Sequence, residues 1–270
     1  MAKKSGISWK TLGILFMCLF AGFIGLVSYY HIDFAELSTL SFYEDLANPS
    51  IRIVRVPEGL RKEEIADVMA GKLGWDESEK EKFINIHLAL GAENLEGHYF
   101  PKTYLLPKDE DSVGVSAAMF HEFSKATEKV AKPASARVLN DETVLTVASI
   151  IQREAAGKED MKLISGIIWN RIFKGMKLQV DATLQYAKGS EEDGWWTDVQ
   201  PKDKKINSPY NTYLHADVPP SPIANPGVAA ISAAYNPQKT SCLFYLHDKN
   251  RRIHCSATYE GHMKNIEKYY

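Results

Sequence analysis

Between Asn140 and Gly157 the apolar residues Val144, Val147, Ala148, Ile150 and Ile151 recur at spacings of three and four, which lays them along one stripe of a helix of about four turns. Asn140 and Asp141 offer an N-cap, Glu142 puts negative charge in the first turn, and Gly157 stands where the helix would stop. Glu154 continues the stripe, three residues after Ile151 and four after Ile150, whereas Gln152 and Arg153 point elsewhere. A carboxyl group held against aliphatic neighbours loses hydration as the anion, so its pKa rises and a transferable proton stays available near neutral pH. Two readings follow: a general acid, or a helix-boundary Glu whose head group reaches solvent past the last turn.

The same patterning sets out the rest of the chain. Ile51 to Val56 alternates apolar with charged and reads as a strand. After the turn at Pro57-Glu-Gly59 comes a helix carrying Leu60, Ile65, Val68 and Met69, stopped at Gly71 or Gly74, and a second helix from Asp76 to about Leu90. Residues 95–107 are rich in aromatics and turn residues; Glu96 and His98 within them read as loop residues rather than an acid-base pair. Further helices are predicted from Ser112 to about Val130, from Met161 to Phe173 and from Gly227 to Asn236, while residues 178–187 are too mixed to assign. Near the C-terminus, two strands around a turn at Asp248 and Lys249 are followed by a short helix from Thr258. Counted outward from that turn, Cys242 and Cys255 fall opposite each other, which suits either a disulfide or two small apolar residues on neighbouring strands. The fold class is therefore α+β.

The N-terminus adds a different pattern. Thr11 to Tyr30 runs 20 residues without a charge, enough for a transmembrane helix. Lys3, Lys4 and Lys10 precede it and acidic residues follow, so the positive-inside rule keeps residues 1–10 in the cytoplasm and exports what lies beyond residue 30. A cleaved signal peptide is the competing reading; the run is long for one, and no small-x-small site follows it directly. Residues 31–49 fit a linker leaving an inner membrane.

Composition narrows the partners. The chain has 270 residues, with 32 basic and 34 acidic side chains, so no global basic field points to nucleic acid. There is no internal repeat, phosphate-binding glycine loop or metal-ligand spacing, and no cofactor or metal is expected. Trp195 and Trp196 sit side by side among charges and suit either a sugar-binding face or a loop anchor. Residues 207–213 and 218–227, dense in Pro, Asn and Tyr, form rigid loops with amide and hydroxyl groups suited to a polyhydroxylated ligand.

Five stretches in order resemble the YceG-like family of endolytic murein transglycosylases, membrane-anchored enzymes that cut the glycan strands of peptidoglycan. They are Leu95-Glu-Gly-His-Tyr-Phe-Pro-Lys-Thr-Tyr104, Ala148-Ser-Ile-Ile-Gln-Arg-Glu-Ala155, Leu178-Gln-Val-Asp-Ala-Thr-Leu-Gln-Tyr-Ala187, Ser208-Pro-Tyr-Asn-Thr-Tyr213 and Pro219 to Gly227. The resemblance implies a LysM-like subdomain over 50–94 and a mixed α+β catalytic domain over 95–270. It also implies that Glu154 is the catalytic acid, with Gln152 standing where many relatives have a second Glu. It departs at Ala182, where the family usually has Pro, at Asp217 and Ser221, where it has Gly, and at His254-Cys-Ser256, one residue short of a His-x-x-Ser pattern; His262 still matches. The implied reaction is a one-carboxylate cleavage that closes a 1,6-anhydro ring, with Asp181, Tyr210, Asn211 and Asn225 as candidates for orienting the sugars and peptidoglycan synthases as partners. Two alternatives remain: a glycoside hydrolase in which Asp181 acts with Glu154, and a non-catalytic wall-binding scaffold.

Overall fold

A computed structural model describes residues 47–92, 94–134 and 139–270, together with Met17, Ala21, Gly22 and Gly25. The tail over 1–10 and nearly all of the expected transmembrane helix over 11–30 and of the linker over 31–49 thus lie outside the described residues. Among the described residues, no helix is long and apolar enough to cross a membrane.

Strand β1, Ile51–Arg55, leads into helix α1, Lys62–Leu73, which ends where Gly74 turns left-handed (φ 75°) and its N–H bonds back to the Ala70 carbonyl. Asp76 caps α2, Glu77–Ile84, by accepting from the Glu79 N–H. The single helix expected to run to about Leu90 instead breaks at Asn85, and α3 spans only Ile86–Ala89. Residues 103–107, not assigned to an element from sequence, form strand β2, Thr103–Pro107, antiparallel to β1 with Ile51 opposite Pro107 and Arg55 opposite Thr103. The order is strand, two helices, a third short helix, strand. The first strand therefore finds its partner beyond residue 94, and one core joins Val54, Ile65, Met69 and Phe83 to Tyr99, Tyr104 and Leu106, then to Val115 and Met119 of α4, Ser112–Glu128.

A second core is built around α5, Asp141–Glu154, capped by the Asn140 side chain on the Glu142 N–H. Val144, Val147, Ala148, Ile150 and Ile151 are all fully buried, as the stripe requires. They meet α6, Met161–Phe173, and the small-residue face of α8, Val228–Tyr235. Residues 178–187, unassigned from sequence, contribute α7, Asp181–Lys188. Gly166 of α6 is required by a close approach: a Cβ there would stand 2.2 Å from the Gln238 carbonyl oxygen.

The two cores are tied by buried polar contacts. Asn225 accepts from the Tyr99 N–H at 2.9 Å and donates to the Leu60 carbonyl at 3.0 Å and to Glu96 at 2.6 Å. Glu96, 1 % exposed, also accepts from the Lys62 N–H. Burial, reinforced by the charge of Glu63 and opposed by the Lys62 N–H and by Arg61 and Lys62, pushes the Glu96 carboxyl up to about 8. A raised folded-state value means that its contribution is complete below the unfolded-state pKa of about 4.3 and is lost as pH rises toward 8, at about 1.4 kcal/mol per pH unit. Glu96→Gln, which stays neutral, is expected to flatten that decline; parallel urea midpoints for both proteins from pH 5 to 8.5 would show that Glu96 is not its source.

The chain closes with hairpin β3, Phe244–His247, and β4, Ile253–Ser256, then helix α9, Tyr259–Tyr269. The register differs from the one counted from sequence: Cys255 faces Tyr245, because the turn centres nearer Asn250 than Asp248. Cys242 precedes β3, and the chain there still brings it to Cys255 as a disulfide with Cα atoms 5.8 Å apart. Closing so short a loop is worth roughly 3 kcal/mol. Replacing both cysteines by Ser is expected to lower the urea midpoint accordingly, and an unchanged midpoint would count against that role.

Candidate active site

Glu154 is the last residue of α5, so the buried stripe that fixes the helix also delivers its carboxyl group to the floor of an open cavity of about 570 Å³. One wall is Leu178 to Asp181 with Tyr213; the second is β3; the third is the face of α9 carrying Tyr259, His262 and Ile266, spaced three and four apart. The Tyr245 hydroxyl donates to Glu154 Oε2 at 2.6 Å. Burial raises the Glu154 pKa above the ordinary carboxylate value; the Tyr245 hydrogen bond lowers it, the Asp181 charge raises it, and His247 and the Ala182 N–H lower it. The helix C-terminus acts in the same direction as burial, since its partial negative charge disfavours an anion. The net direction is upward, toward the protonated acid. The Glu154 side chain is thus half-buried at the cavity and bonded to Tyr245 rather than left free past the last turn.

The other candidates separate. Asp181, the first residue of α7, lines the same cavity and accepts from the Tyr213 hydroxyl at 2.6 Å. Tyr210 does not reach it: its hydroxyl pairs with Ser221 at 2.6 Å and its ring lies 4.8 Å from that of Tyr186. Asn211 is fully buried and spends its amide on the Lys204 and Ile206 carbonyls, while its oxygen accepts from the Tyr213 N–H. Asn225, also fully buried, ties the two cores as described. These amides are structural because every group that faced a ligand in the sequence reading is already bonded to the protein. Asn211 reaches the site only through the tyrosine it presents.

Trp195 and Trp196 anchor a loop: the Arg61 guanidinium lies 4.5 Å from the Trp195 ring, Arg153 lies 3.6 Å from that of Trp196, and the Trp196 N–H donates to Glu64. His98 bonds Glu142, away from Glu96. His254 stacks on Tyr269 and bonds Asp248, whereas His262 lines the cavity and stacks on Phe244. Burial and the nearby Arg171 charge lower the His262 pKa, which keeps it neutral.

Sequence reasoning missed Arg171, Tyr213 and Tyr245. Arg171, buried in α6, donates to the Leu178 carbonyl at 2.5 Å and the Leu243 carbonyl at 2.6 Å, which ties two of the walls together. Its signal was an arginine among the apolar residues of the last turn, in a helix whose other cation, Lys162, lies at the opposite end. Tyr245 and His247 share one face of β3, and His247 bonds Asp160, whose other contacts, the Ala156 and Gly157 N–H groups, fix the chain just after Glu154.

The mixed α+β fold thus presents, at one open and aromatic-walled cavity, a carboxyl group whose pKa burial raises, Glu154, beside a second carboxylate, Asp181, bonded to Tyr213. The chain belongs to the YceG-like family, whose model matches residues 28–268. It is 36% identical over 176 residues, 65% of this chain and 48% of the other, to a Bacillus subtilis protein named endolytic murein transglycosylase. It is 29% identical over 178 residues, 65% of this chain and 32% of the other, to a Streptococcus pneumoniae protein of the same name. The chain thus spans about half or less of the length of these relatives. The crystal structure of a yceG-like protein from Listeria monocytogenes is similar with a TM-score of 0.68 and 27% identity, covering 81% of this chain and 76% of that one.

Proposed function

We propose that this protein is an endolytic peptidoglycan lytic transglycosylase acting on the bond between N-acetylmuramic acid and N-acetylglucosamine. The observation that carries the reading is the Glu154 carboxyl group, held toward its protonated form at an open cavity of about 570 Å³ lined by tyrosines. Glu154 donates its proton to the bridging oxygen and the bond to C1 breaks, leaving an oxocarbenium-like centre. The resulting carboxylate takes the proton of the C6 hydroxyl of the same sugar, whose oxygen attacks C1 and closes the 1,6-anhydro ring. Because the nucleophile is part of the substrate, no second carboxylate has to activate water. The Tyr245 hydroxyl keeps the carboxyl in one orientation through both proton transfers.

The same reading places the protein at the inner membrane with its N-terminus in the cytoplasm and the site outside it. The basic residues before the apolar run over 11–30 support this placement, as does the disulfide, which persists in an oxidising compartment. The paired strands β1 and β2 enclosing α1, α2 and the short α3 over 51–107 support a LysM-like unit that holds peptidoglycan beside the cavity, near the synthases that extend the strands.

Asp181 in the same cavity favours a two-carboxylate hydrolase as the second reading. The test is mass spectrometry of uncrosslinked glycan strands incubated with the purified protein. Anhydro ends, lighter by one water than reducing ends, are expected; reducing ends would establish the hydrolase, and binding without cleavage would establish a scaffold.

A further inference from the structure

Among the described residues only Gln179 and Arg251 combine a side chain with a positive φ, at 52° and 62°. Arg251 sits in the exposed tip of the β3–β4 turn, where such backbone is ordinary. Gln179 does not. It lies between buried Leu178 and buried Val180 and is pinned from both sides: its own N–H bonds the Thr212 carbonyl at 3.1 Å, the Val180 N–H bonds Thr212 Oγ1 at 3.0 Å, and Arg171 holds the Leu178 carbonyl. Glycine would hold this backbone without steric penalty, so what glutamine adds is its side chain. That side chain is exposed, lines the cavity with Glu154 and Asp181, and makes no hydrogen bond to any described residue.

We infer that Gln179 is a substrate-positioning residue whose carboxamide pairs with the acetamido group of the sugar at whose C1 the bond breaks. A carboxamide offers an acceptor and two donors in one plane, which complements the N–H and C=O of another amide. Arg171 in the same cavity spends its guanidinium on backbone carbonyls and Asp181 is engaged by Tyr213, so Gln179 brings a neutral, unengaged donor and acceptor together there. The strained backbone is then a device for aiming that amide into the groove, held by the Thr212 bonds rather than by local preference. The inference rests on the transglycosylase reading and specifies which substituent of the substrate is recognised.

The experiment measures kcat/KM for the wild-type protein, Gln179→Gly and Gln179→Asn on N-acetylated glycan strands and on the same strands after chemical de-N-acetylation. Wild type is expected to favour the acetylated strands. The Gly variant should melt at the same temperature or higher, lose about tenfold on acetylated strands, and show no further loss on de-N-acetylated ones. Asn also tolerates a left-handed backbone but carries its amide on a shorter stem, so it should follow Gly; it carries the comparison if the Gly variant melts lower. Equal rates in folded variants on acetylated strands, or losses from variant and de-N-acetylation that add, overturn the inference while leaving the activity in place. Absence of anhydro ends with wild type itself would instead mean that the functional reading has failed, and this inference with it.

Discussion

Glu154→Gln is expected to lower the rate of glycan cleavage by at least about 10³-fold while glycan affinity stays within a few-fold of wild type. The amide is nearly isosteric with the acid, and its oxygen can still accept from Tyr245 at the place where the carboxylate oxygen does. What it cannot do is give up a proton to the bridging oxygen and then take one from the C6 hydroxyl, and both steps of the proposed reaction pass through that one group. The readout is the count of anhydro ends over time, beside a pull-down of the protein on insoluble peptidoglycan. Anhydro ends at more than a tenth of the wild-type rate would remove Glu154 from the chemistry and return it to the role of a buried helix-end residue. A variant that neither binds nor cleaves, yet melts normally, would mean that the cavity depends on the charge of Glu154 rather than its proton.

What could be read from the chain in advance follows from how far the deciding interactions reach. The α5 stripe and its terminal glutamate were legible because periodicity and capping are local: five apolar positions and an asparagine cap specify the helix without reference to anything else. Strand β2 was not, because Thr103 to Pro107 reads as strand only when β1, some fifty residues earlier, is there to bond with it. The same holds for α7, whose eight residues are too short to show a period and are fixed by packing under α5. Asn211 and Asn225 were read as ligand-facing because rigid, amide-bearing loops suit sugars, but such loops also need their own backbone satisfied. In both cases the amide bonds the chain itself. Tyr245 escaped for the opposite reason: strand alternation put it on a face, but only the tertiary fold says that Glu154 lies across from that face.

Tyr245→Phe and Asp181→Asn should move the alkaline limb of the pH profile in opposite directions. The Tyr245 hydrogen bond lowers the Glu154 pKa, so removing it raises that pKa further and carries the limb to higher pH; the Asp181 charge raises the pKa, so neutralising it brings the limb to lower pH. The sign follows from the active form being the protonated acid: activity is full below the pKa of Glu154 and falls as pH rises through it. The readout is the sign of the displacement in each variant, a whole unit corresponding to about 1.4 kcal/mol. Tyr245→Phe should in addition cost about 10- to 100-fold in kcat at its own optimum, because the carboxyl group loses the partner that aims it. Asp181→Asn should cost less, since the amide oxygen can still accept from Tyr213. The profile of kcat/KM against pH, taken on glycan strands from pH 4 to 9, measures all three proteins on one scale. Limbs that move together would mean that another group sets the titration. An Asp181→Asn variant as inactive as Glu154→Gln would mean that the second carboxylate takes part in the chemistry, in which case the reaction is hydrolysis by a pair of acids rather than ring closure by one.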